Sequence, residues 1–249
     1  MKLLPWMLCL LLLSSAGCGF LSSQHPSHPR QSVKILLYAD KVEIANKMAM
    51  YLEEEPGFQV TPTNDVWALS ESERYDVIIL APLKAYQFPS EILLKLESFV
   101  REGGGIIGMH DVLFKYNDLL KEIFGGSAGV FPEDAIAPQL TLSIKAGAED
   151  HPILKGVPRE FVLVGEHPTI TRYKPTVVRL LTMSYQTIMG KTKSYTAAWL
   201  SRYGKGKAFY IAPGDSEETR YNPYILRMIA NAVNYMARKT RSQGDVNVR

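Results

Sequence analysis

The chain has 249 residues, 46% of them apolar, and a net charge of +3 from 28 Lys and Arg against 25 Asp and Glu. That length holds one sizeable core or two small ones, and that apolar fraction excludes a disordered chain. The only basic run is short, Arg238-Lys239-Thr240-Arg241, so no nucleic-acid partner is implied; that would need a basic stripe.

The chain opens MKLLPWMLCLLLLSSAGCGF. Lys2, an apolar stretch and a small-residue segment ending at Cys18 form the layout of an export signal. The apolar stretch is about 11 residues, against the roughly 20 needed to span a bilayer as a helix. Ser15-Ala16-Gly17-Cys18 resembles a bacterial lipobox, although Leu is usual where Ser15 stands. We therefore expect a signal peptide over 1–17 and a lipid on Cys18, the alternative being an ordinary signal cut near Gly17. Cys9 and Cys18 are the only cysteines. The remaining chain thus has no disulfide, thiol nucleophile or thiolate metal site. Residues 18–32 are rich in Pro, Ser and Gln and read as a tether, with His25 and His28 as solvated linker residues. The expected location is the bacterial cell envelope, anchored by lipid, or the periplasm or exterior if the signal is an ordinary one.

Segment 33–39, VKILLYA, predicts a strand buried on both faces. Asp40 is a plausible N-cap for a helix carrying Ala45, Met48, Ala49 and Leu52 at helical spacing, and Pro56-Gly57 stops it. Strands are predicted from Phe58 and over 76–80. Pro89 opens a helix with Ile92, Leu96, Phe99 and Val100 on one face, ending at Gly103-Gly104-Gly105. A strand over 106–109 leads into a predicted helix over 112–124, closed by Gly125-Gly126. This alternation implies βαβ units and an open, doubly wound α/β sheet, mainly parallel through Ile107. The second half adds strands near 139–145, 161–164, 177–183, 196–203 and 207–212, with a hairpin turn at Gly204-Lys205-Gly206. Asn222-Pro223 starts a last helix with Leu226, Ile229, Val233 and Met236 on its buried stripe. Residues 33–237 read as one domain and 238–249 as a loose polar tail.

Four segments carry candidate chemistry. In GGGIIGMHDV, 103–112, a Gly-rich turn and a buried strand deliver His110, with Asp111 beside it, to the carboxyl edge of the sheet, where open α/β sheets bind ligands. A helix N-terminus following directly would oppose a positive charge there and favour a neutral imidazole; a packed histidine is the alternative. In Asp150-His151-Pro152 a carboxylate would orient an imidazole, although such turns are more often structural. Glu166 and His167 follow a strand and would point to opposite sides if it continued through them. Asp215, after another strand, sits where a sheet-edge carboxylate would.

These segments carry a resemblance. GGGIIGMH resembles the "GGGfvGiH" segment of ThuA-like (trehalose utilisation) proteins, and EDHPILKGVP their "DHPitrGlP". FVLVGE resembles their strand ending in "DE". WLSRYGKGKAFYIAPGD, from Trp199, resembles "W…yGkGrvfytslGH", and NPYILRMIANAVNYMA resembles their closing helix. The five occur in the family's order across 33–237. The resemblance implies a flavodoxin/amidotransferase-like fold, a divergent form of class I glutamine amidotransferases, in which a Cys stands where His110 stands here. Without that Cys, glutaminase chemistry is excluded. Two family histidines are also missing: Asp215 and Phe131-Pro132 stand where relatives carry His and His-Pro. Of that set His110, His151 and Glu166 remain.

The family's association with disaccharide utilisation implies a carbohydrate partner and action on keto-sugars or glycosides. His110 would be the general base, Glu166 its orienter or the acid, and Asp215 a sugar-hydroxyl ligand, with Asp111, His151 and Trp199 as binding residues. The alternative is a non-catalytic sugar-binding or scaffold protein of the envelope. No dinucleotide fingerprint is present. No metal ligand is assigned, although His110, His151, Glu166 and Asp215 would suit a divalent metal by type.

Overall fold

The computed structural model describes residues 32–84, 86–129, 131–136 and 139–244. The segment expected to be an export signal, Cys18, and the expected tether as far as residue 31 lie outside the described residues. Among those described, no helix is long and apolar enough to cross a membrane.

The first half alternates strands and helices: β1 (Val33–Tyr38), α1 (Val42–Glu53), β2 (Phe58–Thr63), β3 (Val77–Leu80), α2 (Ser90–Glu102) and β4 (Gly105–Met109). After α3 (Asp118–Phe124) come β5 (Gly126–Ala128), β6 (Gln139–Ile144), β7 (Glu160–Val164), β8 (Thr171–Tyr173), β9 (Val178–Gln186), β10 (Thr192–Tyr203) and β11 (Gly206–Ile211). Two helices close the chain, α4 (Glu217–Arg220) and α5 (Pro223–Gly244). Three-ten turns add Val66–Arg74, His110–Leu113 and Pro152–Leu154.

Nine strands form one sheet in the order β2-β1-β3-β4-β11-β10-β9-β6-β7, and β5 pairs with β8 apart from it. From β2 through β11 every neighbour is parallel; from β11 outward every neighbour is antiparallel. The reason is visible in the connections. The parallel strands β1, β3 and β4 are joined by helical crossovers, whereas β10 and β11 are joined by the Gly204-Lys205 hairpin, which allows only antiparallel pairing. The parallel strands are apolar throughout because helices cover both faces. Facing positions on β4 show this. A Cβ at Gly105 would lie 2.7 Å from Met236 on α5, and one at Gly108 would lie 2.6 Å from Val112 and 2.8 Å from Phe124 of α3.

Three local expectations are corrected. Asp40 is not the N-cap of α1; Lys41 occupies that position without a side-chain cap, and the Asp40 carboxylate accepts the Leu83 amide at 2.8 Å instead. The helix predicted over 112–124 is a three-ten turn followed by a break and a shorter α3. Lys115 takes a left-handed φ of 30°, and the buried Asn117 spends its side chain on Phe88 N, Tyr86 O and Val112 O. These bonds to a neighbouring loop replace the helical ladder across the break. α5 continues to Gly244, beyond Ala237 where a loose tail was expected.

Candidate functional site

β4 ends at Met109, and His110 turns the chain with a left-handed φ of 46°, a strain of about 1 kcal/mol for a side-chain-bearing residue. The neighbouring β11 holds it there. Tyr210 Oη donates to His110 O at 2.6 Å, and His110 Nδ1 lies 3.2 Å from Ala212 O. A carbonyl only accepts, so Nδ1 carries a proton. Nε2 faces two carboxylates, Asp111 Oδ1 at 3.4 Å and Asp215 Oδ1 at 3.5 Å. Burial by itself would lower the His110 pKa. The hydrogen bond to Asp215 and the charges of Asp111, Glu166 and Asp215 outweigh it and raise the pKa. The site therefore favours an imidazolium, not the neutral ring expected from a helix N-terminus, because α3 begins only at Asp118.

β7 stops at Val164 and Gly165 takes φ 79°, so Glu166 and His167 do not continue the strand's alternation. Both turn toward Asp215. Glu166 is fully buried, and its Oε2 accepts the amides of Gly214 at 3.0 Å and Asp215 at 3.1 Å. Burial raises its pKa against the lowering influence of Thr219, His110 and these two amides. His167 Nδ1 lies 3.4 Å from Asp215 Oδ2, with its side chain 49% exposed. Asp215 thus bridges a buried imidazole and an exposed one. The hydrogen bond to His110, and next to it the charges and bond of the two rings, hold the Asp215 carboxyl below its usual range against partial burial. Phe131 stacks over His110 at 6.5 Å and stands 5.4 Å from the His167 ring.

The loop carrying Asp215 is clamped from its other side by Arg220. This fully buried guanidinium donates to Gly214 O at 2.6 Å and to Ala81 O at 2.8 Å, tying the ends of β11 and β3 together.

His110, Asp111, Glu166 and Asp215 therefore meet at the carboxyl edge. His151 does not join them. It follows β6, which runs antiparallel to β9 and so delivers it to the opposite edge; its Nδ1 accepts the Ile153 amide, its ring packs on Tyr235, and burial, then Lys207, lower its pKa. Trp199 is fully buried, donates Nε1–H to Phe124 O at 2.7 Å and packs on Tyr210. It is a core residue, and no sugar can stack on it. His110 itself is buried, its side chain 2% exposed, so the accessible imidazole is His167. Sequence reasoning missed His167 and Arg220. Gly165 was the signal that the strand breaks before His167; Arg220 left none. Among the described residues no group of three or more His, Cys, Asp or Glu is arranged to hold a metal ion.

The sequence pattern of the ThuA family, described as trehalose utilisation, matches residues 34–236. The chain belongs to the ThuA family. Two ThuA-like structures are similar to it. One, from Bacteroides uniformis, is 16% identical, covers 83% of this chain and 92% of its own, and has a TM-score of 0.63. The other, from Parabacteroides merdae, is 12% identical, with 83% and 90% coverage and a TM-score of 0.65. A GMP synthase component from Thermoplasma acidophilum is 12% identical over 86% of this chain and 98% of its own, with a TM-score of 0.55. At these identities the likenesses carry the fold alone. No curated protein matched. The ThuA chain thus has a flavodoxin/amidotransferase-like fold, with His110 at the end of β4.

The His110 shift has a consequence for stability. A pKa raised on folding stabilises the protein fully below the unfolded value, near 6.5, and that contribution is lost as pH rises through the folded value. The raised Glu166 pKa also costs stability as pH rises above the ordinary carboxyl value of 4.5. Unfolding free energies read from urea titrations should therefore fall above pH 6.5 with a slope of at most about 1.4 kcal/mol per pH unit per proton, and His110→Gln should flatten that fall. Equal slopes in both proteins would refute the assignment.

Proposed function

We propose that this ThuA protein acts on carbohydrate at the carboxyl edge of the sheet, with His167 exchanging the proton and Asp215 orienting its ring. The observation that supports this best is Asp215 lying between two imidazoles, one buried and one exposed. The buried His110 favours its cationic form and keeps Asp215 ionised. Asp215 accepts Nδ1–H of His167, which leaves Nε2 as the basic atom. On a glycoside oxidised at its 3-position, the C–H beside the ketone is acidic. His167 takes that proton, the electron pair moves to form the alkene, and the glycosidic C–O bond breaks. The departing oxygen takes a proton back from the imidazolium. In this reading Asp111 and Asp215 accept hydrogen bonds from sugar hydroxyls, and Glu166 positions the loop. This gives His167 the role first expected of His110.

Phe131 supports a second reading, sugar binding without turnover. It is 39% exposed beside the polar edge, as a stacking platform would be. The deciding experiment incubates the full chain with 3-keto-glycosides, with and without added divalent metal. Release of the aglycone supports the enzyme. Calorimetric binding without release supports the second reading, and the absence of both overturns the carbohydrate assignment.

We further propose that the chain is exported and held in the envelope by a lipid on Cys18, from the Lys2, Leu-rich and Ser-Ala-Gly-Cys layout. Cys18→Ala should abolish radiolabelled-lipid incorporation and release the protein from membranes. Unchanged membrane association would refute it.

A further inference from the structure

Beyond the edge site, the outer strand β6 alternates buried and more exposed residues. On β6, Leu140 and Leu142 are buried in the core while Gln139, Thr141 and Ser143 alternate with them on the opposite face. Register aligns polar residues across three strands. Thr141 lies opposite Ser184 on β9, Ser184 opposite Ser194 on β10, and Gln186 opposite Thr192. Of these, Thr141, Ser184, Gln186 and Thr192 line a groove of about 510 Å3, within the range of about 300–1,000 Å3 that ligand pockets occupy.

Its chemistry narrows the occupant. Among the described residues no Lys, Arg or His lines it, and Glu160 is the one carboxylate among the lining residues. Phosphates, nucleic acid and acidic glycans would therefore be repelled. The hydroxyls and amides both donate and accept, as the hydroxyls of a neutral sugar do, and several already bond one another: Ser184 with Ser194 at 2.8 Å, and Gln186 Nε2 to Thr192 Oγ1 at 2.9 Å. Ile136, 60% exposed, adds an apolar patch. From residue 139 to 143 the strand runs roughly 13 Å, enough for two or three sugar rings.

We infer that this groove binds a neutral oligosaccharide or polysaccharide along β6, at a site separate from the carboxyl edge. Gln139 pairs with Val164, which directly precedes Gly165 and Glu166, so this end of the groove opens toward the edge site. The direction of a glycan toward that site rests on the function proposed above; the binding itself does not.

Affinity electrophoresis of the full chain tests this, in gels holding soluble starch, xyloglucan, galactomannan or polygalacturonate. At least one neutral polysaccharide should retard the protein, and polygalacturonate should not. Ser184→Arg and Thr141→Arg, both on the solvated face, should each weaken retention at least tenfold, with melting temperatures confirming the fold. They should leave turnover of a small keto-glycoside unchanged. The inference is overturned if no neutral polysaccharide retards the protein, if polygalacturonate alone does, or if a folded groove variant is retained like the unaltered chain. Loss of retention in His167→Ala with the groove variants unaffected also overturns it, placing the binding at the edge. Retention that depends on the groove, in a protein without keto-glycoside turnover, would leave the groove standing while the enzymatic reading falls.

Discussion

Replacing His167 by alanine should lower keto-glycoside turnover by about a hundredfold or more, the usual contribution of a positioned proton-transfer group, with almost no change in stability. The asymmetry follows from its setting. Its side chain is half exposed and approaches Asp215 at 3.4 Å, so removal opens no cavity. Asp215→Asn should act in the same direction. The amide keeps the shape but lacks the charge that holds Nδ1–H of His167 and favours the His110 cation, so the rate falls. His110→Ala should behave differently. It removes a buried ring, leaves Ala212 O without its partner and keeps a side chain at φ 46°. Its loss should appear first in the melting temperature, and His110→Gly should recover about 1 kcal/mol of it, because glycine accepts that φ. Equal rates in His167→Ala and the unaltered chain would remove His167 from the mechanism.

The second large effect is expected at Arg220. Arg220→Ala should destabilise the domain by about 3–5 kcal/mol, from buried carbonyls left unpaired at about 1–3 kcal/mol each together with the cavity, read from urea unfolding. The guanidinium is fully buried and serves carbonyls of two segments distant in sequence, Ala81 and Pro82 after β3 and Gly214 after β11. Removing it leaves these oxygens buried and unsatisfied and opens a large cavity. Arg220→Lys should recover only part, since an ammonium cannot reproduce the planar fork. The partly stable Lys variant should also show reduced turnover, because the Gly214 carbonyl that Arg220 holds precedes Asp215. A fully stable Arg220→Ala would show that the loop needs no clamp.

Much of the architecture was legible in the chain because it rests on local periodicity. The apolar runs at 33–39, 76–80 and 106–109 could be satisfied only by strands buried on both faces, and the stripes on α2 and α5 only by helices packed against them. Where a local pattern competed with a distant hydrogen bond, reading failed. The apolar spacing over 112–124 suggested one helix, but Asn117 is claimed by the loop at Tyr86 and Phe88. Asp40 had the chemistry of an N-cap, but Leu83 takes its carboxylate. Short pieces such as β5 and β8 owe their existence to each other.

The site divides in the same way. His110, Glu166 and Asp215 stand at strand ends, and parallel strands share one carboxyl edge, so residues far apart in sequence could be assigned to one place by topology. His151 stands beside a strand end too, but β6 runs the other way, and strand direction in the antiparallel half is set by hairpin connections that motif reading does not supply. By itself the sequence determined the parallel βαβ core, the family, the absence of thiol chemistry from the domain and the strand-end position of His110, because each follows from local pattern or residue type. Only the tertiary structure decided that His110 is buried and favoured as a cation, that His167 is the exposed imidazole, that Trp199 is core and that Arg220 clamps the Asp215 loop. Burial, charge state and partnership depend on groups brought together from β3, β7 and β11, and no local pattern in the chain encodes those distances.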